Sequence, residues 1–184
     1  MNLPTFFKNK NLEPKLYLAL LVGDDRVGAA LWQAGPEGVE IIKSSPLESY
    51  QQKKQLVVKA DQVLQTLGSA SETVDEVILG LAPNWADEAG ILPIKKPILK
   101  KLTQDLGLKP IGFVVTSEAL AKHLTQKNKR LSCLLLEFGR SYLALSYLKQ
   151  GQLLISKQVG RSAQILADIT EGWARLNALH EGQH

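Results

Sequence analysis

The sequence predicts an α/β fold, a mixed β-sheet with helices on both faces, followed by the first part of a second copy of the same unit. Three observations predict it. Several short segments are almost continuously apolar, as expected of strands covered on both faces, while others carry apolar residues at helical spacing. After an opening meander the two kinds of segment alternate, which implies strand–helix–strand crossovers. One layout also occurs twice without a gap. Ala19-Leu-Leu-Val-Gly-Asp-Asp-Arg-Val-Gly-Ala-Ala-Leu-Trp-Gln-Ala-Gly35 is echoed within Cys133 to Lys157, with Gly23 matching Gly139 and Gly35 matching Gly151. Internal repetition identifies architecture before any motif does.

The elements follow in order. Leu16 to Val22 reads as a central strand, Asp24-Asp25 as a turn, and Val27 to Trp32 as the returning strand. Gly35-Pro36-Glu37-Gly38 is a turn by composition, and Val39 to Lys43 a third strand. Leu56, Val57, Ala60, Val63, Leu64 and Leu67 form one helical stripe closed by Gly68. Val74 to Leu81 is a buried strand that ends at Ala82-Pro83-Asn84-Trp85. Pro97 opens a helix whose inward face is Ile98, Leu99, Leu102 and Leu106, and Gly107 supplies a left-handed stop. Ile111 to Val115 is a strand, and Ser117 is the expected N-cap of a helix over Glu118 to Leu124. The second copy follows: a strand, a turn at Gly139–Ser141, a second strand, a turn at Gln150-Gly151 and a third strand. A last helix carries Ile165, Leu166, Ile169, Trp173 and Leu176 on one side. The expected domains are a tail over residues 1–14, a first domain over 15–128, and an incomplete second domain over 131–184 with three strands and one helix.

Composition bounds the function. With 184 residues, 45% apolar and 22% charged, the chain suits one good core or two small ones. The net charge of +4 is spread over several segments, and no basic cluster sits beside stacking aromatics, so nucleic-acid binding is not expected. Lys95-Lys96 with Lys100-Lys101, and Lys127 to Arg130, read as solvated faces. Cys133 is the single cysteine, so no intrachain disulfide forms. Its apolar strand argues for a core position, and a chain without a disulfide fits a reducing cytoplasm. No apolar run approaches the ~20 residues of a membrane span, no signal peptide is visible, and Phe6-Phe7 beside lysines reads as a frayed tail. His123, His180 and His184 lack metal-ligand spacing, and no Gly-x-Ser-x-Gly nucleophile motif is present.

Four stations, in order, resemble the actin-like ATPase superfamily built on the ribonuclease H-like fold. Leu21-Val-Gly-Asp-Asp-Arg-Val-Gly-Ala-Ala-Leu is similar to its first phosphate loop, and Val77-Ile-Leu-Gly-Leu-Ala-Pro-Asn-Trp to its strand-plus-proline station. Leu106-Gly-Leu-Lys-Pro-Ile-Gly-Phe-Val-Val-Thr-Ser-Glu-Ala-Leu-Ala resembles the segment entering the connecting helix, with Glu118 matching its acidic residue. Leu136-Glu-Phe-Gly-Arg-Ser resembles the second phosphate loop. The Leu-Gly-Leu-Lys-Pro run and the compact stretch before Pro83 look most like the pilus-assembly PilM and division FtsA members.

The resemblance implies a nucleotide held by backbone N–H groups at the two glycine turns. A carboxylate at the end of each first strand would hold hydrated Mg²⁺. The positions it assigns to cofactor binding are Gly23, Asp24, Asp25, Glu137, Gly139, Arg140 and Ser141. Departures from the pattern decide the expectation. Leu21 stands where the first metal carboxylate belongs, Glu137 is one methylene longer than Asp, and Asp24-Asp25 would set negative charge against a polyphosphate. Asp24 and Asp25 therefore read as solvated turn aspartates, Arg140 as an exposed turn arginine, and no catalytic or metal residue is assigned. The family's adenosine site draws on parts of the second domain beyond its first helix, so no ATPase is expected.

The expected function is a non-catalytic, PilM-like scaffold without cofactor, cytoplasmic or peripheral at the inner face of the membrane. Its partner would be a protein, such as the cytoplasmic tail of a membrane protein, taken as a strand or short helix. Self-association or a larger parent chain would cover the helix around Trp173. The alternative is a nucleotide-binding ATPase switch taking ATP and Mg²⁺ on shifted ligands Asp24, Asp25 and Glu137. A sugar or acyl kinase ranks third, because no substrate-binding insertion is visible.

Overall fold

The computed structural model describes residues 13–36, 38–87 and 89–181. The expected tail falls largely outside them, as does His184. The chain forms two compact units interleaved in sequence. The first runs through Val22 and adds Arg26–Gly80 and Lys96–Phe113; the second takes Gly23–Asp25, Leu81–Lys95 and the chain from Val114 onward.

The first unit opens with the antiparallel meander β1 (Lys15–Val22), β2 (Arg26–Gly35) and β3 (Gly38–Ser44), and the short β4 (Glu48–Ser49) pairs with β2. Helix α1 (Leu56–Gln65) and strand β5 (Glu76–Leu81) follow. A small hairpin of β6 (Ala86–Asp87) and β7 (Gly90–Ile91) belongs to the second unit. The chain then returns through α2 (Lys96–Asp105) and β8 (Lys109–Val115). The sheet order β3-β2-β1-β5-β8 is a mixed sheet, as the sequence predicts. In β1 the alternate residues Leu18, Leu20 and Val22 are buried, and they pair across to Leu31, Ala29 and Val27 of β2, which are buried as well. Helix α1 packs against β2, and its Leu56, Ala60 and Val63 are also buried. Each fully buried leucine here contributes about 1.5–3 kcal/mol through water released from its surface. Gly107, at φ +66°, ends α2 in the left-handed conformation expected of it.

In the second unit, α3 (Thr116–Lys127) precedes β9 (Cys133–Phe138), β10 (Tyr142–Lys149) and β11 (Gln152–Gly160), and α4 (Ile165–Glu181) follows. The sheet order is β11-β10-β9. Residues 142–146 of β10 are buried one after another, because helices lie on both faces. Leu143, Leu145, Val159 and Leu176 form the core on the α4 side, while α3 packs against β9 and β11.

The two copies match residue for residue. Val22 pairs with Val27 as Phe138 pairs with Leu143, and Leu20 with Ala29 as Leu136 with Leu145. Even the bulge recurs: the register shifts between Leu31 and Trp32 in one copy and between Tyr147 and Leu148 in the other. The Gln150-Gly151 turn has φ +50° and +78°, as a two-residue hairpin loop requires. It is docked on the approach to β9: Gly151 N donates to Leu131 O at 2.8 Å and Gln150 N to Ser132 Oγ at 3.0 Å. A Cβ on Gly151 would lie 2.3 Å from the Lys129 carbonyl oxygen.

Two expectations are corrected. Ser117 is not the N-cap of α3. The helix starts at Thr116 after an extended Val115, which leaves Ser117 buried inside the first turn and frees the Thr116 hydroxyl for another partner. Nor do all the apolar residues of α4 face inward. Ile169, Gly172 and Leu176 share the packed stripe, with Gly172 so near Leu145 that a Cβ would lie 2.2 Å from its Cδ1. Leu166 and Trp173 sit about a quarter turn away and are exposed, Leu166 by 81%. Ile165, at the first turn, is exposed too. Ser162 sets the start of α4: its hydroxyl accepts the Gln164 N–H and donates to the buried Asp168. Among the described residues no helix is long and apolar enough to cross a membrane.

Candidate functional site: two hairpin turns closed on themselves

The residues assigned by sequence to the two glycine turns all fall in the second unit, and they form two polar clusters. The first centres on Asp24. Ala82 is extended, as the residue before a proline prefers, and Pro83 starts the short helical turn Pro83–Trp85 that presents Asn84 and Trp85. Asn84 Nδ2 donates to Asp24 Oδ2 at 2.5 Å, and Trp85 Nε1 donates to Oδ1 at 2.9 Å. The Ser141 hydroxyl donates a short hydrogen bond to Oδ2. Lys95 Nζ lies 3.5 Å from Oδ1 and 4.4 Å from the centre of the Trp85 ring, so one ammonium makes both an ion pair and a cation–π contact.

A carboxylate has about four lone-pair sites, and four donors occupy them here. The Asp24 side chain is only 13% exposed. Burial pushes its carboxyl upward, but the hydrogen bonds from Ser141, Trp85 and Asn84, with the charge of Lys95, outweigh that and hold it below the ordinary aspartate value. The solvated-turn reading of Asp24 is therefore corrected, and so is the solvated-face reading of Lys95, whose side chain is 15% exposed. Asn84 Oδ1 is buried with no donor among the described residues.

The second cluster centres on Glu137. Thr116 Oγ1 lies 2.8 and 2.9 Å from its two oxygens, and the Tyr142 hydroxyl donates to Oε1 at 2.9 Å. Burial of Tyr142, and then the negative charges of Glu137, Asp24 and Asp25, raise its phenol far above the ordinary tyrosine value. The turn itself is closed. Gly139 N donates to Tyr142 O at 2.9 Å, Arg161 Nη1 donates to Gly139 O at 2.8 Å, and Arg161 N donates to Ser141 O at 3.1 Å. The Tyr142 ring lies so close over Gly139 that a Cβ there would be 1.9 Å from Cε1. Glycine is needed at 139 to seat a tyrosine. Gly23 and Asp25 flank Asp24 in its turn, and Arg140 stands between Gly139 and Ser141.

Sequence reasoning finds Asp24, Glu137 and Ser141 but misses Thr116, Tyr142, Asn84, Trp85, Lys95 and Arg161. The Asn-Trp pair just after a strand-ending proline is the one local signal for any of them. The residues present do not fit a hydrated Mg²⁺. Leucine holds the first carboxylate position, Asp24 is fully used, and Glu137 already accepts from Thr116 and Tyr142. Among the described residues no group of three or more His, Cys, Asp or Glu is placed to hold a metal ion.

No protein-family model matches the sequence, and no curated protein matches it. Solved structures do match by shape. An exopolyphosphatase from Cytophaga hutchinsonii superposes with a TM-score of 0.54 at 10% identity, over 84% of this chain and 53% of that one. A PPX-GPPA enzyme from Aquifex aeolicus gives 0.53 at 8%, over 85% and 56%. A Bacteroides thetaiotaomicron protein described as having an actin-like ATPase fold gives 0.53 at 10%, over 88% and 77%. The chain thus spans about half the length of the first two. With the meander, the crossover strands and the repeated hairpin seen above, these likenesses show that the chain has the actin-like ATPase fold.

Proposed function

We propose that the chain is a non-catalytic actin-like module, a scaffold or adaptor that works by binding a protein partner. The observation that carries this reading is the saturation of Asp24. Ser141 and Lys95, the hydroxyl and the cation that would meet a phosphate at these turns, are both spent on an internal carboxylate. The Gly139 N–H is likewise committed, to Tyr142 O. A phosphate would have to displace an anion already matched by four donors.

The setting we propose is the cytoplasmic side of an envelope or pilus-type assembly of the PilM kind. It rests on the Leu106-Gly-Leu-Lys-Pro110 run and the compact stretch before Pro83. A nucleotide switch using Asp24, Asp25 and Glu137 as metal ligands would need Asp24 to release its donors. One measurement separates the two readings. A ligand that binds only the folded state raises the melting temperature by mass action. We expect millimolar Mg²⁺-ATP to leave the melting temperature of the full chain unchanged, and to do so in Leu21→Asp as well. A ligand-dependent rise in the unaltered chain would replace the adaptor with the switch.

A further inference from the structure

The first unit keeps a groove open between its helices. Helix α1 starts directly after the 3₁₀ turn Lys53–Gln55, and α2 touches it. Between them lies a groove of about 590 Å³, walled by the first turn of α1 with the turn before it and by one stripe of α2. Its floor is Leu56 and Leu102, both fully buried, with Val57 and Ile98 half-buried beside them. Periodicity puts Val57 and Ile98 on the inward stripes of their helices, yet what they line is this open space. The stripes are wider than packing between the two helices uses.

The rim is charged, and mostly of one sign. Lys53, Lys54 and Lys101 line the groove against a single carboxylate, Asp105, which leaves it with a net charge of +2. Asp105 is already paired with Lys101 at 2.9 Å. Three other lysines of the unit have partners of their own: Lys15 meets Glu76, Lys59 meets Glu48 and Lys109 meets Asp75. Among the described residues Lys53 and Lys54 meet no carboxylate, and neither do Lys96 and Lys100 on α2. Nor does an acid stand in the first turn of either helix. Neighbouring cations without a counter-charge repel one another, and an anion seated among them removes that repulsion.

We infer that this groove is a binding site for a small anionic amphiphile, a molecule with an apolar chain and a carboxylate or phosphate head. The chain lies over Leu56, Val57, Ile98 and Leu102, and Lys53 and Lys54 meet the head. Two further observations choose this occupant. The volume falls within the roughly 300–1,000 Å³ of small-molecule sites, whose walls are mainly apolar with a few placed polar groups. The wall on the α1 side is a single turn of that helix, too short for a partner helix, whose anchors span about two turns. None of these residues belongs to the Asp24 or Glu137 cluster, so the site stands whether or not the adaptor reading does.

The test is a titration of the ¹⁵N-labelled full chain with decyl phosphate below its micelle concentration, followed by amide chemical shifts. Decanol and inorganic phosphate, the chain and the head taken separately, are the controls. We expect decyl phosphate to shift residues 53–57 and 97–105 and to bind at least about tenfold more tightly than either control, because each control gives up the ionic contact or the buried chain. Lys53→Gln with Lys54→Gln, both at exposed positions, should weaken binding by at least about tenfold without moving the melting temperature. Removing the same charge elsewhere, with Lys127→Gln and Lys129→Gln, should leave the affinity unchanged. Four results would overturn the site: no shifts at millimolar decyl phosphate, shifts centred outside both segments, decanol binding as tightly, or equal weakening by the two lysine pairs. Perturbation of the same amides by phosphatidylglycerol vesicles, without binding of monomeric decyl phosphate, would overturn it too and assign the lysines to a membrane surface.

Discussion

The two hairpin copies share strand register, bulge position and turn placement, yet their turns and outer strands face different conditions. In the first copy the turn supplies Asp24, an anion; in the second the aligned stretch supplies Ser141, a donor to that anion. Among the described residues, the leading strand is central in the first copy and an edge in the second. Backbone pairing is thus indifferent to the chemistry mounted on it. A fold can keep its hairpin geometry while side chains close the turns from within.

The sharpest way to break this comparison is to cut the same atoms from both copies. Leu20→Ala removes a fully buried side chain and should cost about 2–5 kcal/mol in urea unfolding, whereas Leu136→Ala, at the equivalent but exposed position, should cost under ~1 kcal/mol. Equal costs would mean that the β9 face is as well covered as that of β1.

Next in size is the anion itself. Asp24→Ala strands Lys95, Asn84, Trp85 and Ser141 together and should cost about 3 kcal/mol, in the range for breaking a mostly buried ion pair. The same carboxylate sets an acid limb. Its folded-state value lies below the unfolded one, so its stabilisation is complete above the ordinary aspartate range, near pH 4, and is lost as pH falls toward the lowered value. Stability profiles of the unaltered chain and of Asp24→Asn should diverge above that window and converge below it. Parallel profiles would show that Asp24 is solvated after all.

The smallest effect belongs to the second turn. Tyr142→Phe deletes one hydrogen bond to Glu137 and keeps the ring over Gly139, so a loss of about 1–2 kcal/mol is expected, read from the same unfolding curves. A larger loss would show that the hydroxyl organises the turn as well as Glu137.

Much of the fold was legible because it is written in local periodicity. The alternation of β1, the stripe of α1 and the left-handed stop at Gly107 each need only a short window of sequence. The repeat extended that reach, since aligning Gly23 with Gly139 already implied equal register in both hairpins. The site was legible only as an outline. Asp24 meets Trp85, Lys95 and Ser141 across 61, 71 and 117 positions of chain, and nothing near any of them announces the others. Gly139 misled for the opposite reason. A glycine in a phosphate-loop pattern reads as room for a ligand, but here the room is taken by the next aromatic side chain in the strand.

The docked Gln150-Gly151 turn has one more consequence, for how the repeat can drift. Gly35 and Gly151 align, but a Cβ on Gly35 would meet only Pro14, at an ordinary 3.9 Å, while at Gly151 it would strike the Lys129 carbonyl from a left-handed backbone. The two glycines occupy aligned positions, yet they stand under unequal steric constraint. Position 35 has room for a Cβ, whereas any side chain at 151 would displace the chain that leads into β9. In the second copy the hairpin loop and the entry to β9 can therefore change only together.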